Sequence, residues 1–385
     1  MKTEKLLLIP GPTMIPEKIL NAMNTQAVGH RTEYFENIIK EVTIKLKKVF
    51  RTERDVYILT SSGSGAMEAS VANFINEGDK TLVLVNGKFG ERFASLNKVY
   101  GADLNEIIYP LGVPANPDDV ESFLEKNPET KVVFMQQNET SSTILNDVKA
   151  IAAVVKKYDA LLIVDSVSGL GVTEMKMDEW GIDVIAAGSQ KAFMLPPGLA
   201  FVAVSEKAEK KLSSCGNKRY YFCLKAAKKN LEKSTTPYTP ATSLIRGLDT
   251  SLDMILEYGI EKNYEKQEKY TKMLREAFKT IGLSMVVEND QAASRAVTGV
   301  YVPEGVKWSE FERILSEKYN VLVAGGQDEL KGKIFRVGTI GYLGDLDILS
   351  GIAAIEMALF ESGYIFELGN GVSAAQKILI GRGKN

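Results

Sequence analysis

The chain is 385 residues long, enough for two unequal domains. Its 45% hydrophobic and 25% charged residues match an ordinary globular protein, and a net charge of −2 excludes a strongly basic surface for nucleic acid or anionic membrane. A single histidine, His30, excludes serine triads, HExxH sites and His-rich clusters, so no metal centre is expected and the chemistry falls to lysine, carboxylates or a bound cofactor.

The first apolar run, Leu6 to Ile9, is shorter than a signal-peptide core and stops at Pro10-Gly11-Pro12. No later stretch approaches the roughly 20 apolar residues of a membrane helix. Cys215 and Cys223 make neither a disulfide framework nor a zinc signature, and the expected location is the cytoplasm. From about Arg54, short β-rich runs alternate with helical ones. Strands are predicted at Val56 to Leu59, Thr81 to Val85, Val132 to Met135, Leu161 to Val164, Val184 to Ala187 and Ala200 to Val204. Helices are predicted at Ala66 to Ile75, Lys88 to Val99 and Asp147 to Tyr158, the last with Val148, Ile151, Ala152 and Val155 on one face. Apolar strands with helical crossovers imply an α/β domain with a mostly parallel sheet. After about Ser243 a long charged helical stretch runs to Ile281, with interruptions expected at Gly247 and Gly259. A smaller α+β unit follows: β at Ala296 to Val302, a helix at Ser309 to Tyr319, β at Val321 to Ala324 and Phe335 to Val337, and a last helix from Asp345.

Three segments carry chemistry. Thr60-Ser61-Ser62-Gly63-Ser64-Gly65 follows a strand and opens a helix, where free N–H groups and the helix dipole favour an anion such as phosphate. By itself it fits a plain strand-to-helix turn equally well. It is neither a Walker A motif nor a GxGxxG fingerprint. Asp165 ends the run Leu162-Ile163-Val164, where α/β sheets bind ligands, and a carboxylate buried there needs a cation such as a protonated pyridine. A turn or helix-capping aspartate is the alternative. Lys191, in Gly188-Ser189-Gln190-Lys191-Ala192-Phe193, follows an apolar strand among small residues, a setting that strips water from a lysine and makes it nucleophilic. A surface loop lysine is the alternative, but Asp165 and Lys191 would close neighbouring strands of one sheet, and the Ser/Gly loop another.

In this order, with a late arginine, the motifs resemble class V aminotransferases of fold type I, and within them the serine–pyruvate/alanine–glyoxylate group. The resemblance runs from Pro10-Gly11-Pro12 and Gly29-His30-Arg31 through Ser62-Gly63-Ser64, Asn138-Glu139-Thr140-Ser141 and Asp165-Ser166-Val167 to Arg336-Val337-Gly338. It implies an α/β chain of PLP fold type I: a large domain over 1–260, whose N-terminal segment contributes to the active site, and a small C-terminal α+β domain over 261–385. Pyridoxal 5′-phosphate is the implied cofactor. Lys191 matches the Schiff-base lysine, which also moves the proton between substrate Cα and C4′. Asp165 matches the carboxylate that pairs with the pyridine nitrogen. Val167 would lie under one ring face and Phe89 stack on the other, where many relatives carry Trp; a core phenylalanine on an amphipathic helix is its alternative reading. Ser62, Gly63, Ser64 and Gln190 would hold the phosphate, and Thr140 would sit near the 3′ oxygen. Arg336 matches the arginine that grips the substrate α-carboxylate, with Gly11 beside it. In Thr235 to Pro240 the family places residues that reach the neighbouring subunit's phosphate, here Tyr238 and Thr239, so a homodimer with a shared site is implied. His30 reads as structural or substrate-adjacent.

The implied reaction is ping-pong transfer of an amino group from serine or alanine to glyoxylate or pyruvate. No second arginine motif of the dicarboxylate kind is visible, although Arg31 and Arg246 could be recruited in three dimensions. The alternatives are an aspartate or other-donor aminotransferase of the same family, or a PLP-dependent lyase or desulfurase. Desulfurases use a His-Lys pair and a mobile nucleophilic cysteine, whereas Gln190 precedes Lys191 here. A non-catalytic protein on this fold would have lost the lysine or the aspartate, and a nucleotide-dependent oxidoreductase would need the missing GxGxxG. Small amino acids and 2-oxo acids are the expected partners, with no nucleic acid and no membrane.

Overall fold

The computed structural model describes residues 4–381. Met1 to Thr3 of the leader reading, and residues 382–385 of the expected small domain, lie outside them. The strands are β1 (Leu6–Leu8), β2 (Val56–Ser61), β3 (Lys80–Val85), β4 (Asp103–Ile108), β5 (Val132–Gln136), β6 (Asn138–Glu139), β7 (Ile144–Leu145), β8 (Leu161–Asp165), β9 (Val184–Gly188), β10 (Gly198–Val204), β11 (Val297–Tyr301), β12 (Val321–Gly325) and β13 (Ile334–Gly338).

Seven of them form one sheet in the order β2-β10-β9-β8-β5-β3-β4. All pairs are parallel except those of β10, which runs antiparallel to both β2 and β9. Strands β5, β8 and β9 are buried at every residue, because helices cover both faces, and this is why they read as unbroken apolar runs. The predicted strands of the large sheet are all present; β4 was not foreseen, and its alternating exposure marks it as the sheet's edge.

Helices differ from expectation at two glycines. The helix after β2 begins at Gly63, three residues before the predicted start, so the Ser/Gly segment is the helix's first turn. The long helical stretch divides once, into Thr242–Tyr258 and Ile260–Thr280, at Gly259 with φ 96°. Gly247 does not interrupt it. Its missing Cβ makes room instead for Met23, whose Cγ would lie 2.6 Å from an added carbon.

The second sheet has the order β1-β12-β13-β11. Its first strand comes from the far end of the chain: Leu6 to Leu8 pair in parallel with Val321 to Val323. Helices 260–280, 308–317 and 345–361 pack on this sheet around Leu8, Phe278, Phe311, Phe335, Ile352 and Leu359. Among the described residues no helix is long and apolar enough to cross a membrane.

Leu8 is fully buried in this core, and its side chain occupies the space that a Cβ on Gly351 would need. Leu8→Ala should cost about 2–5 kcal/mol, the usual range for a buried leucine that leaves a cavity. Urea denaturation is the check, and a loss under about 0.5 kcal/mol would show that β1 adds nothing to that core.

Candidate active site

Asp165 ends β8, Lys191 follows β9 by three residues, and Ser62 follows β2. β8 and β9 are neighbours, whereas β10 separates β9 from β2. The sheet nevertheless gathers its C-terminal loops at one end, as α/β sheets do at their ligand sites.

Asp165 is buried, and its carboxylate accepts one hydrogen bond, from the Val167 N–H at 2.9 Å. Burial pushes its pKa up to about 7; the Val167 N–H, Arg92 and Lys191 pull it down, and the Glu139 charge pushes it further up. A carboxylate so poorly compensated calls for a cation. Lys191 shows the complementary strain. Burial lowers its pKa to about 8, partly opposed by Asp165 and reinforced by Arg336. Its Nζ donates to the Pro10 carbonyl at 2.5 Å, and a Cβ on Gly11 would lie 2.8 Å from that nitrogen. Thr13 Oγ1 donates to the Lys191 carbonyl at 3.2 Å. The N-terminal segment thus lies directly against the lysine.

The loop that carries Lys191 is fixed by buried Ser189. The Ser189 hydroxyl donates to the Pro196 carbonyl at 2.7 Å and accepts from the Leu199 N–H at 3.2 Å.

Ser62 caps the helix Gly63–Ala72 without a side-chain bond, and the N–H groups of Gly63 and Ser64 have no backbone acceptor. A Cβ on Gly63 would meet Val167 at 2.8 Å, and a Cβ on Gly188 would lie 3.3 Å from the Gly63 Cα and 3.1 Å from Gln190 Oε1. Gly63, Val167 and Gln190 are therefore brought together, with Ser62 next to Gly63 in the chain. Gln190 Oε1 and Asn138 Oδ1 are buried without a protein partner. Thr140 Oγ1 lies 2.7 Å from Ser168 Oγ, which also accepts from Asn138 Nδ2 at 2.9 Å.

Two charged residues were not singled out from the sequence. Glu139 is fully buried, and its carboxylate accepts from the N–H groups of Phe89, Gly90 and Ser141 at 2.9, 3.1 and 3.0 Å and from the Ser141 hydroxyl at 2.6 Å. It pins the start of the helix Lys88–Val99, and with it Phe89. Burial raises its pKa against the pull of those four bonds. Arg92 follows Phe89 by one helical turn. Its Nη1 donates to Ser64 Oγ at 2.9 Å, and its guanidinium lies 4.8 Å from the Phe89 ring centre. Spacing alone offered one clue, since Phe89 and Arg92 at i and i+3 share a helix face.

Arg336 sits in β13, buried between β11 and β12. Nε and Nη2 donate to the Gly325 carbonyl at 3.0 and 2.8 Å, and Nη1 to the Thr140 carbonyl at 3.0 Å. A guanidinium carries five N–H groups; after these three bonds, two remain for a ligand. Burial lowers its pKa, opposed by the Glu139 charge.

The structure does not bring Tyr238 and Thr239 to this group. They lie over the outer edge strand β2, where Tyr238 stacks on Tyr221 and donates to the Tyr220 carbonyl at 2.9 Å. Arg31 is exposed, and Arg246 donates to the Gln26 carbonyl at 3.2 Å. Cys215 is buried with its thiol directed at the Ile75 carbonyl, 3.0 Å away, which is unlike a loop nucleophile. No group of acidic, cysteine or histidine residues among those described could hold a metal.

A buried carboxylate in want of a cation, a weakly basic lysine, an open helix start and orphaned polar atoms fit pyridoxal phosphate, and the fold is that of the type I enzymes that use it. The chain belongs to the class-V aminotransferases, whose family model matches residues 6–334. It is 42% identical over 379 residues to an uncharacterised aminotransferase of Methanocaldococcus jannaschii, covering 98% of each chain. An L-aspartate–glyoxylate aminotransferase of Paracoccus denitrificans is 34% identical, over 98% of this chain and 96% of that one. A serine–glyoxylate aminotransferase of Methylorubrum extorquens is 33% identical, over 97% and 95%. The crystal structure of ureidoglycine–glyoxylate aminotransferase from Bacillus subtilis matches with a TM-score of 0.93, at 26% identity and 99% coverage of both chains. The protein is a pyridoxal-phosphate-dependent aminotransferase.

A lysine attacks a carbonyl only in its neutral form. Uptake of pyridoxal phosphate by cofactor-free protein should therefore rise with pH through a midpoint near 8, following Lys191. Stopped-flow absorbance measures the rate, and a midpoint near the ordinary lysine value of about 10.4 would refute the assignment. Borohydride should then fix the cofactor to Lys191 in peptide maps.

Proposed function

We propose that the chain moves an amino group from serine or alanine to glyoxylate or pyruvate in two half-reactions. When bound, pyridoxal phosphate supplies a carbonyl that takes the amino group and a ring that accepts electrons. The protein's own groups do the rest. Asp165 would pair with the ring nitrogen and favour its protonated form, the charge partner that its buried carboxylate otherwise lacks. Lys191, with a pKa of about 8, takes and returns the proton at the substrate α-carbon near neutral pH. Arg336 orients the α-carboxylate through its two free N–H groups, a bidentate contact that lysine cannot reproduce. Phe89 and Val167 confine the ring, Ser62, Gly63, Ser64 and Gln190 receive the phosphate, Thr140 serves the 3′ oxygen, and Gly11 leaves space beside the lysine.

Arg336 carries the donor assignment. Among the described residues, the other buried arginine, Arg275, is paired with Asp290 at 2.5 Å. Arg31 is exposed, and Arg246 is bonded to the Gln26 carbonyl. A second substrate carboxylate entering this region would lack a partner, at a cost of several kcal/mol, whereas serine and alanine need none. The aspartate–glyoxylate relative supports the competing donor. A donor and oxo-acid panel decides between them. We expect serine or alanine with glyoxylate or pyruvate to give the highest kcat/KM, and Arg336→Lys to weaken all donors by a similar factor. Aspartate better than both by tenfold or more would overturn the donor assignment and leave the fold untouched.

We also propose a homodimer in which Tyr238 and Thr239 serve the partner's phosphate. Their position over the outer strand β2, beside the exposed Tyr220 and Tyr221, supports this. Sedimentation equilibrium should give a dimer at assay concentrations, and an active monomer would refute it.

A further inference from the structure

Arg92 is placed where an isolated protein would not choose to put it. The helix Gly63–Ala72 opens with a serine that makes no capping bond, so its first N–H groups present the positive end of the helix dipole. The Arg92 guanidinium approaches that same end, donating to Ser64 Oγ at 2.9 Å. Cations belong at helix C-termini, and one at an N-terminus is destabilising unless an anion stands between.

No carboxylate plays that part. Glu91, next to it in sequence, pairs with Lys88 at 2.6 Å, and Glu68 accepts from the Tyr100 hydroxyl at 2.9 Å. Among the described residues no acid pairs with Arg92; its charge is felt instead by Asp165, whose pKa it helps to lower. The guanidinium is held from the other side by the Phe89 ring, whose centre is 4.8 Å away. Glu139 in turn fixes the helix start that carries both.

We propose that Arg92 is the charge partner of the cofactor phosphate, and that through the Phe89 ring it couples phosphate capture to the aromatic wall of the site. The proposal rests on the assignment of Ser62 to Ser64 as the phosphate cradle. Arg92 occupies one lone pair of the Ser64 hydroxyl, which leaves that O–H free to donate to the anion. Its remaining N–H groups can donate as well. The pairing also gives the site a preference for the phosphorylated cofactor over pyridoxal, since only the former brings an anion to the helix start.

The test compares pyridoxal phosphate with pyridoxal on the full-length protein stripped of cofactor, by absorbance titration, for wild type, Arg92→Gln and Arg92→Lys. Arg92→Gln should weaken pyridoxal phosphate by about tenfold or more, as expected for loss of a charge-assisted bond. It should leave pyridoxal within about twofold. Inorganic phosphate should compete with pyridoxal phosphate in wild type and much less in Arg92→Gln. Arg92→Lys should keep most of the preference, because the charge remains. Equal weakening of both ligands would make Arg92 a support for Phe89 alone and overturn the proposal, as would unchanged binding of both. Should Arg92→Gln melt early, the wild-type phosphate competition and Arg92→Lys still decide. Wild-type protein that bound pyridoxal phosphate no better than pyridoxal would overturn the cradle assignment itself, a separate failure.

Discussion

Burial of the Asp165 carboxylate at the end of β8 is the constraint from which the rest of the site follows. Taking an ionised carboxylate out of water costs several kcal/mol unless partners compensate, and the protein offers it one N–H. Lys191 does not close the gap, because its ammonium is turned to the Pro10 carbonyl. Two opposite charges are thus held near each other, and neither is satisfied. A ligand that brings a cation to one and a carbonyl to the other meets both demands. The sheet makes this possible: β8 and β9 are adjacent and parallel, so their carboxyl ends present Asp165 and Lys191 side by side on a rigid, fully buried base.

Around that pair, one short hairpin organises the remaining groups. Glu139 ends β6, Thr140 and Ser141 follow it in the turn, and between them they reach both the large-sheet and the small-sheet side of the site. Glu139 grips the helix start beneath Phe89, Ser141 supports Glu139 and the Lys88 N–H, and the Thr140 carbonyl holds Arg336. The aromatic wall of the large sheet and the arginine of the small sheet are therefore referenced to the same three residues. Gly325 moves with Arg336, because both lie in the small sheet, so a shift of that sheet would be felt at the bond from Arg336 to the Thr140 carbonyl.

Much of this was legible in the residues. β5, β8 and β9 are apolar runs because both their faces are covered, and the polar residues that end such runs stood out for that reason. Asp165 and Lys191 were singled out this way, and the resemblance to the class-V family came from the order of all the motifs, from the Ser/Gly loop to the late arginine. Three features were not legible. The reversal of β10 leaves no mark, because β10 is an apolar run nearly as buried as its parallel neighbours in the sheet. The pairing of Leu6–Leu8 with Val321–Val323 spans almost the whole chain, and a short apolar run does not say which sheet it joins. Glu139 and Arg92 look like ordinary charges on a turn and a helix, where such residues usually face solvent; only the backbone N–H groups gathered round one, and the helix start facing the other, set them apart.

The two strained charges also set the pH at which the protein alone is least favoured by this site. Asp165 has its pKa raised in the folded chain, so its contribution to stability is lost as pH rises from the unfolded value of about 3.9 towards about 7. Lys191 has its pKa lowered, so the folded state gains relative to the unfolded one as pH rises from about 8 towards about 10.4. Between about 7 and about 8 both groups are mostly charged and both penalties stand. That window begins at neutrality. A ligand that binds only the folded form recovers the loss by mass action. Removing the unpaired charges would stabilise the bare chain and abolish the reason for binding, the usual exchange between stability and function at an active site.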